Sequence, residues 1–242
     1  MITLALETTG DRAAVAVQVG DAAPREGFVD GARRHAGALL PLATELLARD
    51  GAVLGDVQRI VLADGPGSFT GLRVGATVAK ALVAANGAEL WVASTLTARA
   101  WTHRPRGDAE VTVISSAQRG ECYLGRFALT AGAVTVRIAP HPVQAVAVTA
   151  LAAGSAVLVV DLPGEASGTA GLVAPTGALI IGRPASSPTG LPLMQLLAVA
   201  GGTTRVDHPD EWEPTYGRPA EAQARWELAH GRTLPHSPGC AE

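Results

Sequence analysis

Lysine is nearly missing from this chain of 242 residues: Lys80 is the single example, and arginine supplies the other fixed positive charge. With a formal net charge of −3 there is no surplus of basic side chains to collect phosphates, which argues against autonomous nucleic-acid binding. Any RNA the chain serves needs its countercharge from a partner. Aromatic residues make up 4% of the sequence, so the core must be built from Ala, Val and Leu packed at short range. Cysteine is equally scarce. Cys122 and Cys240 are too few for a disulfide framework and fit a reduced, cytoplasmic compartment. No basic leader precedes the first apolar run, which Glu7 interrupts, so no signal peptide is expected. Val143 to Val160 is uncharged, but it is rich in alanine, broken by Gly154-Ser155 and flanked by no basic cluster. A buried helix (Val143–Ala153) and strand (Ala156–Asp161) are expected there rather than a membrane span, and no membrane is expected as a partner.

What the chain does have is a nine-residue loop, Gly65-Pro66-Gly67-Ser68-Phe69-Thr70-Gly71-Leu72-Arg73, between a β-branched run and a helical one. Strand, glycine turn, helix is the arrangement that aims free N–H groups at an anion. The loop lacks the Gly-Lys-Ser/Thr ending of a P-loop. Two readings stay open: a stiff turn capped by Ser68 or Thr70, or a cradle for a ligand.

Three strands (Ile2–Glu7, Ala13–Val19, Arg25–Val29) joined by short turns predict an antiparallel meander. A helix (His35–Arg49), a strand (Arg59–Ala63), a helix (Gly71–Asn86), a strand (Glu89–Ala93) and a helix from Ser94 to Trp101 follow. Pro41 predicts a kink or a late start in the first helix. This order matches the α/β ribonuclease-H-like unit of actin-like (ASKHA) ATPases, with the later strands parallel to the first. After a linker at 103–108 the strands Val111–Ser115, Glu121–Ala128 and Ala133–Ile138 begin a reduced repeat. The expected division is a ribonuclease-H-like lobe at 1–103, a smaller lobe at 104–191, and at 192–242 a helix returning to the first lobe with a mobile tail.

Both long helices of the first lobe are apolar on nearly every side. Leu39, Leu42 and Leu46 mark the first. In the second, Gly71, Gly75, Ala79 and Val83 recur every four residues, with Val78 and Leu82 beside them and Arg73, Thr77 and Lys80 as the polar stripe. A helix lying on one face of a sheet should keep one wet face. Either the second lobe covers these helices or a partner does, and the reading adopted is a partner interface formed by Leu39, Leu42, Leu46, Gly71, Arg73, Gly75, Val78, Ala79, Lys80 and Leu82.

Combined with Leu4-Ala5-Leu6-Glu7-Thr8-Thr9 and Arg34-His35-Ala36-Gly37-Ala38-Leu39-Leu40-Pro41, the glycine loop resembles the bacterial TsaB (YeaZ) family. That family is the non-catalytic partner of the TsaD transferase in tRNA threonylcarbamoyladenosine synthesis. The resemblance is dense over about the first hundred residues. It implies a scaffold that forms a homodimer alone, or pairs through its first-lobe helices with TsaD, joined by the ATPase TsaE. The threonylcarbamoyl group then goes to the adenosine beside the anticodon, and tRNA is met only within the complex. ATP and a metal are expected in the partners, none on this chain alone, and no catalytic residue here. The resemblance continues in Ser116-Ala117-Gln118-Arg119-Gly120-Glu121, where Ser116 and Gln118 replace Asp and Arg of the family segment. It also continues in Glu213-Pro214-Thr215-Tyr216-Gly217-Arg218, where Gly217 replaces Leu.

Alternatives have residues of their own. An actin-like ATPase or small-molecule kinase places its first phosphate hairpin at Glu7-Thr8-Thr9-Gly10, but Glu stands for the usual Asp and Thr crowds the glycine position. A ribonuclease-H-like nuclease needs carboxylates that converge on two metal ions, and Glu7, Glu45 and Asp64 come in the right order. TsaD-like proteins carry two histidines four apart on the first helix; here His35 is followed by Leu39, so no metal site is expected and His35 reads as a solvated or helix-end residue.

Overall fold

The computed structural model describes residues 1–31, 34–117, 121–162, 177–217, 226–227 and 229–232. The first unit comprises β1 (Ile2–Glu7), β2 (Arg12–Val19), β3 (Arg25–Asp30), α1 (His35–Ala48), β4 (Arg59–Ala63), α2 (Phe69–Asn86), β5 (Glu89–Ala93) and α3 (Thr95–Thr102). β2 is antiparallel to β1 and β3 to β2, whereas β4 is parallel to β1 and β5 to β4. The second unit has β6 (Ala109–Ser116), β7 (Glu121–Leu129), β8 (Val134–Gln144), α4 (Val148–Leu151), β9 (Val157–Asp161) and β10 (Leu179–Ile181). Its sheet, β10-β9-β6-β7-β8, repeats the order β5-β4-β1-β2-β3 of the first. Two ribonuclease-H-like sheets make the actin-like α/β fold that the element order predicts. The chain then returns through α5 (Leu191–Leu196), which packs on α3, β1 and β4, and adds β11 (Thr204–Val206) antiparallel to the edge of β5.

β1 and β4 are buried on both faces, and their alternation sorts side chains by size. Leu4, Leu6, Ile60 and Leu62 point toward α1 and α2, while Ala5, Val61, Ala63 and Ala93 point toward α3, α5 and the second sheet. Small residues on that second face let the lobes close on each other around Phe127, Tyr123 and Leu193. A third cluster (Ile114, Leu124, Leu158, Val160) fills the far face of the second sheet under α4.

Local signals set the helix ends. Ser68 accepts a hydrogen bond from the Gly71 N–H at 3.3 Å to cap α2, and Gly87, at φ +68°, closes it by donating to Val83 O. α1 runs through Pro41 without a break. Gly37, whose carbonyl loses its donor there, is exposed along with Pro41, so that carbonyl is open to solvent. The helix expected over Val143–Ala153 is mostly something else. Val143 and Gln144 pair with Cys122 and Glu121 as the end of β8, leaving a helix of four residues at Val148–Leu151. Pairing with β7 outweighs the helix preference of alanine. No helix among the described residues is long and apolar enough to cross a membrane.

The predicted interface set needs correction. Leu39 and Leu46 are 0% and 2% exposed and belong to the chain's own core, as do Ala79 and Leu82. Gly71 and Gly75 are also buried. The every-fourth-residue groove on α2 receives β1, not a foreign helix. A Cβ on Gly71 would stand 1.9 Å from Thr8 O, and one on Gly75 would stand 2.5 Å from Thr8 Oγ1. Gly71→Ala should therefore destabilise by about 3 kcal/mol or more, because the obstruction is backbone and has nowhere to shift. Urea denaturation checks this; a change below about 1 kcal/mol would contradict the packing described.

Candidate functional site

The glycine loop is a seat for another part of the same chain. Thr215 N–H donates to Asp64 O at 2.8 Å, and a Cβ on Gly65 would lie 2.1 Å from Thr215 O. Tyr216 packs its ring on Phe69 at 4.6 Å between centroids, and its carbonyl accepts from the Tyr123 hydroxyl at 3.2 Å. Gly217, at φ +75°, fits between Tyr123 and Pro66, where a Cβ would meet the Tyr123 ring at 2.7 Å. The substitution of Gly for the family's Leu is thus a close fit rather than lost packing. Two motifs that resemblance singled out separately are each other's ligands: residues 213–217 form a strap over residues 64–69. On the other side of the loop Gly67 abuts Thr9, and Ser68 N–H donates to Thr9 O at 2.8 Å. The Ser68 and Gly71 N–H groups are both paired within the chain, as the turn reading expects.

Glu7, Thr8 and Thr9, the possible nucleotide contacts, are turned to internal use. The Thr8 hydroxyl donates to Gly71 O at 2.8 Å, and Glu7 Oε1 accepts the Thr9 N–H at 2.7 Å. The Glu7 carboxyl is 1% exposed, and burial raises its pKa against the opposing pull of the Arg99 guanidinium and the Thr9 bonds. Asp64 follows β4, beside the end of β1. Burial of its carboxyl raises its pKa to about 7, helped by the charge of Glu7 and opposed by hydrogen bonds that include one with Thr215.

Across the crevice between the lobes, Arg99 on α3 pairs with Asp161 at the end of β9 at 2.6 Å, both side chains buried. Asp161 also binds Arg183 at 2.5 Å, and Arg183 reaches Asp11 in the β1–β2 turn at 3.2 Å. Sequence reading missed this set: the four residues are far apart in the chain and share no motif. The one available signal was a lone arginine in the short, mostly uncharged α3.

Of the three nuclease carboxylates, Glu7 and Asp64 are neighbours but Glu45 does not join them. Glu45 lies on the exposed side of α1, paired with Arg49 at 2.5 Å, while Glu7 is buried at the crevice. No group of three metal-ligating side chains occurs among the described residues. His35 is 1% exposed, not solvated, with Nε2 3.3 Å from Asp11 O at the start of α1. Ser116 is exposed at the end of β6, and Cys122 is buried. Gln118, Arg218, Cys240 and most of the tail beyond Gly217 lie outside the described residues.

The outer side of the first lobe carries the remaining candidates. On α1 the exposed residues are Ala36, Gly37, Leu40, Pro41, Thr44, Glu45 and Ala48; on α2 they include Phe69, Thr70, Arg73, Thr77 and Ala81. Leu40 and Phe69 are each 38% exposed. Leu42 and Val78 from the predicted set are half-buried at its margin. Lys80 is drawn to the start of the strap and the segment before it, 3.4 Å from both Asp210 O and Glu213 and facing the Trp212 ring. Arg73 lies over the Phe69 ring.

Two ribonuclease-H-like lobes facing each other across a crevice define the actin-like class. The family model described as TsaD, tRNA N6-adenosine threonylcarbamoyltransferase, matches residues 23–153, more than half of the chain, and the chain belongs to that family. It is similar to the tRNA threonylcarbamoyladenosine biosynthesis protein TsaB of Escherichia coli K12, with 32% identity over 130 residues, 52% of this chain and 55% of that protein. It is also 40% identical over 97 residues to TsaB of Haemophilus influenzae, covering 39% and 40% of the two chains. The chain spans about half the length of the curated relatives it matches. A crystal structure from Pseudomonas aeruginosa, of an uncharacterised protein with similarity to peptidase YeaZ, superposes with a TM-score of 0.69 at 25% identity, over 90% of this chain and 99% of that one.

The buried Asp64 carboxyl gives a pH signature. Between about pH 4 and 7 the folded chain keeps a proton there that the unfolded chain has released. Stability from this group therefore falls as pH rises through that window and levels off above it. Asp64→Asn should match the wild type near pH 4 and melt about 5 °C or more above it at pH 8. Parallel Tm profiles from pH 4 to 8 would refute the assignment.

Proposed function

We propose that this chain is a docking subunit in tRNA threonylcarbamoyladenosine synthesis. It binds a TsaD-type transferase through the outer face of α1 and α2, is joined by a TsaE-type ATPase, and thereby supports threonylcarbamoyl transfer to the adenosine beside the anticodon. Alone, two copies pair through the same face. ATP, metal and the charge that holds tRNA belong to the partners. The observation that carries this reading is the outer surface of the two helices: small or apolar positions around Leu40, Pro41, Phe69, Thr77 and Ala81, with few charges. A smooth surface of this kind lets a second pair of helices approach closely and exclude water. The names of the relatives point to the same process.

The strap adds a second support. The glycine loop, the candidate ligand cradle, is filled by Thr215, Tyr216 and Gly217. Lys80 is engaged with Glu213, which leaves Arg73 as the cation of α2 with no ion-pair partner among the described residues. It is the side chain best placed to select a partner carboxylate. Action of this kind is a shift of the partner's conformational population through differential binding.

Co-purification with the TsaD-type transferase of the same organism tests the reading. Leu40→Glu should weaken association at least about 10-fold, since it places a charge at the centre of the buried patch, while shifting Tm by less than about 3 °C. Association unchanged by both Leu40→Glu and Thr77→Arg would move the docking site elsewhere.

A further inference from the structure

We propose that the ion-pair chain Asp11–Arg183–Asp161–Arg99 is a latch that holds the two lobes shut, so that they move as one body. The four residues alternate in sign; the outer two belong to the first unit and the inner two to the second. Arg99 stands on α3 of the first unit, Asp161 ends β9 of the second, Arg183 follows β10, and Asp11 lies in the β1–β2 turn of the first. Every neighbouring link in the chain except Asp161–Arg183 crosses between the units, and that link braces one crossing against the other. Asp161 is the pivot: its side chain is 3% exposed and its two carboxylate oxygens are divided between two guanidinium groups.

Other contacts close the same seam. Arg12 Nη2 donates to Pro188 O at 3.1 Å, Gly10 abuts the Pro188 ring, and Glu26 on β3 accepts the N–H groups of Gly190 and Leu191. The segment that leaves the second unit is thus stitched to the β1–β3 meander before it enters α5. Inside the seam, Thr9 Oγ1, Thr95 Oγ1, Ser115 Oγ and Arg99 Nε are buried without a hydrogen-bond partner among the described residues. These groups are poorly satisfied while the crevice is shut and would gain water if it opened. Closure therefore has an internal opponent, and the ion-pair chain offsets it. The carboxyl ends of parallel strands, where open α/β folds leave a ligand crevice, are here bridged by the protein's own charges.

The latch lies on the opposite face of the first sheet from the proposed docking surface, and its test does not depend on that reading. Arg183 is the residue to change, because its side chain is 27% exposed and its loss leaves the buried Arg99–Asp161 pair intact. In the full chain, Arg183→Met should accelerate amide hydrogen exchange at least 10-fold at residues 9–11, 115–116 and 161–162, leave residues 76–82 of α2 unchanged, and enlarge the radius of gyration in solution scattering. Asp161→Asn should exaggerate the faster exchange and the expansion; should it fail to fold, Arg183→Met decides alone. Exchange in Arg183→Met that is unchanged at the seam, or accelerated uniformly across both lobes, would overturn the latch.

Discussion

The contact on which the molecule depends is the approach of the glycine face of α2 to the end of β1. Gly67, Gly71 and Gly75 each leave room for an atom of Thr8 or Thr9 that a side chain would displace. Thr8 returns the contact by donating its hydroxyl to Gly71 O, so helix and strand are joined by a hydrogen bond as well as by shape. This proximity fixes where α2 begins. It thereby fixes the turn at residues 64–68 on which the strap rests, and it determines which side of α2 is left facing outward. A bulkier residue at any of the three glycines would disturb the strap, the crevice and the outer face together.

The interior of the protein is unusually polar where its two halves meet. Glu7, Asp64, Arg99 and Asp161 gather at the carboxyl ends of strands from both sheets, and burial penalises each charge unless a partner answers it. The structure answers unequally. Asp161 has two guanidinium partners, Glu7 has backbone N–H and the more distant Arg99, and Asp64 has a hydroxyl and an acidic neighbour. The alanines lining the same side of the first sheet make this gathering possible, because they let the second sheet come close enough for its strand ends to reach across.

Two motifs separated by about 140 residues form one structural unit, and this reframes the departures from the family pattern. Gly217 is required by its positive φ and by the Tyr123 and Pro66 walls around it, so the exchange from Leu accompanies a tight seat rather than a loosened one. Ser116, at the exposed end of β6, is not part of that seat. The chain fills its own glycine loop with residues 215–217 and leaves few charges on the outer side of α1 and α2.

The meander, the crossover helices, their parallel strands and the repeat of the unit were all legible in the sequence. Each is written in local periodicity, turn residues and the short loops that leave few topologies open. The same periodicity misjudged the interface. Leu39, Leu46, Gly71, Gly75 and Ala79 fall in the expected partner interface because a helix apolar on every side does not say which side meets its own sheet. Only the packed structure separates Leu40 and Phe69 from them, since burial depends on the rotation of the helix about its axis. It alone also decides that β8 extends into the expected helix at Val143, that the strap occupies the glycine loop, and that Asp11, Arg99, Asp161 and Arg183 meet. Sequence encodes the repeat along the chain; contacts between residues far apart follow from how close the small side chains allow the layers to come.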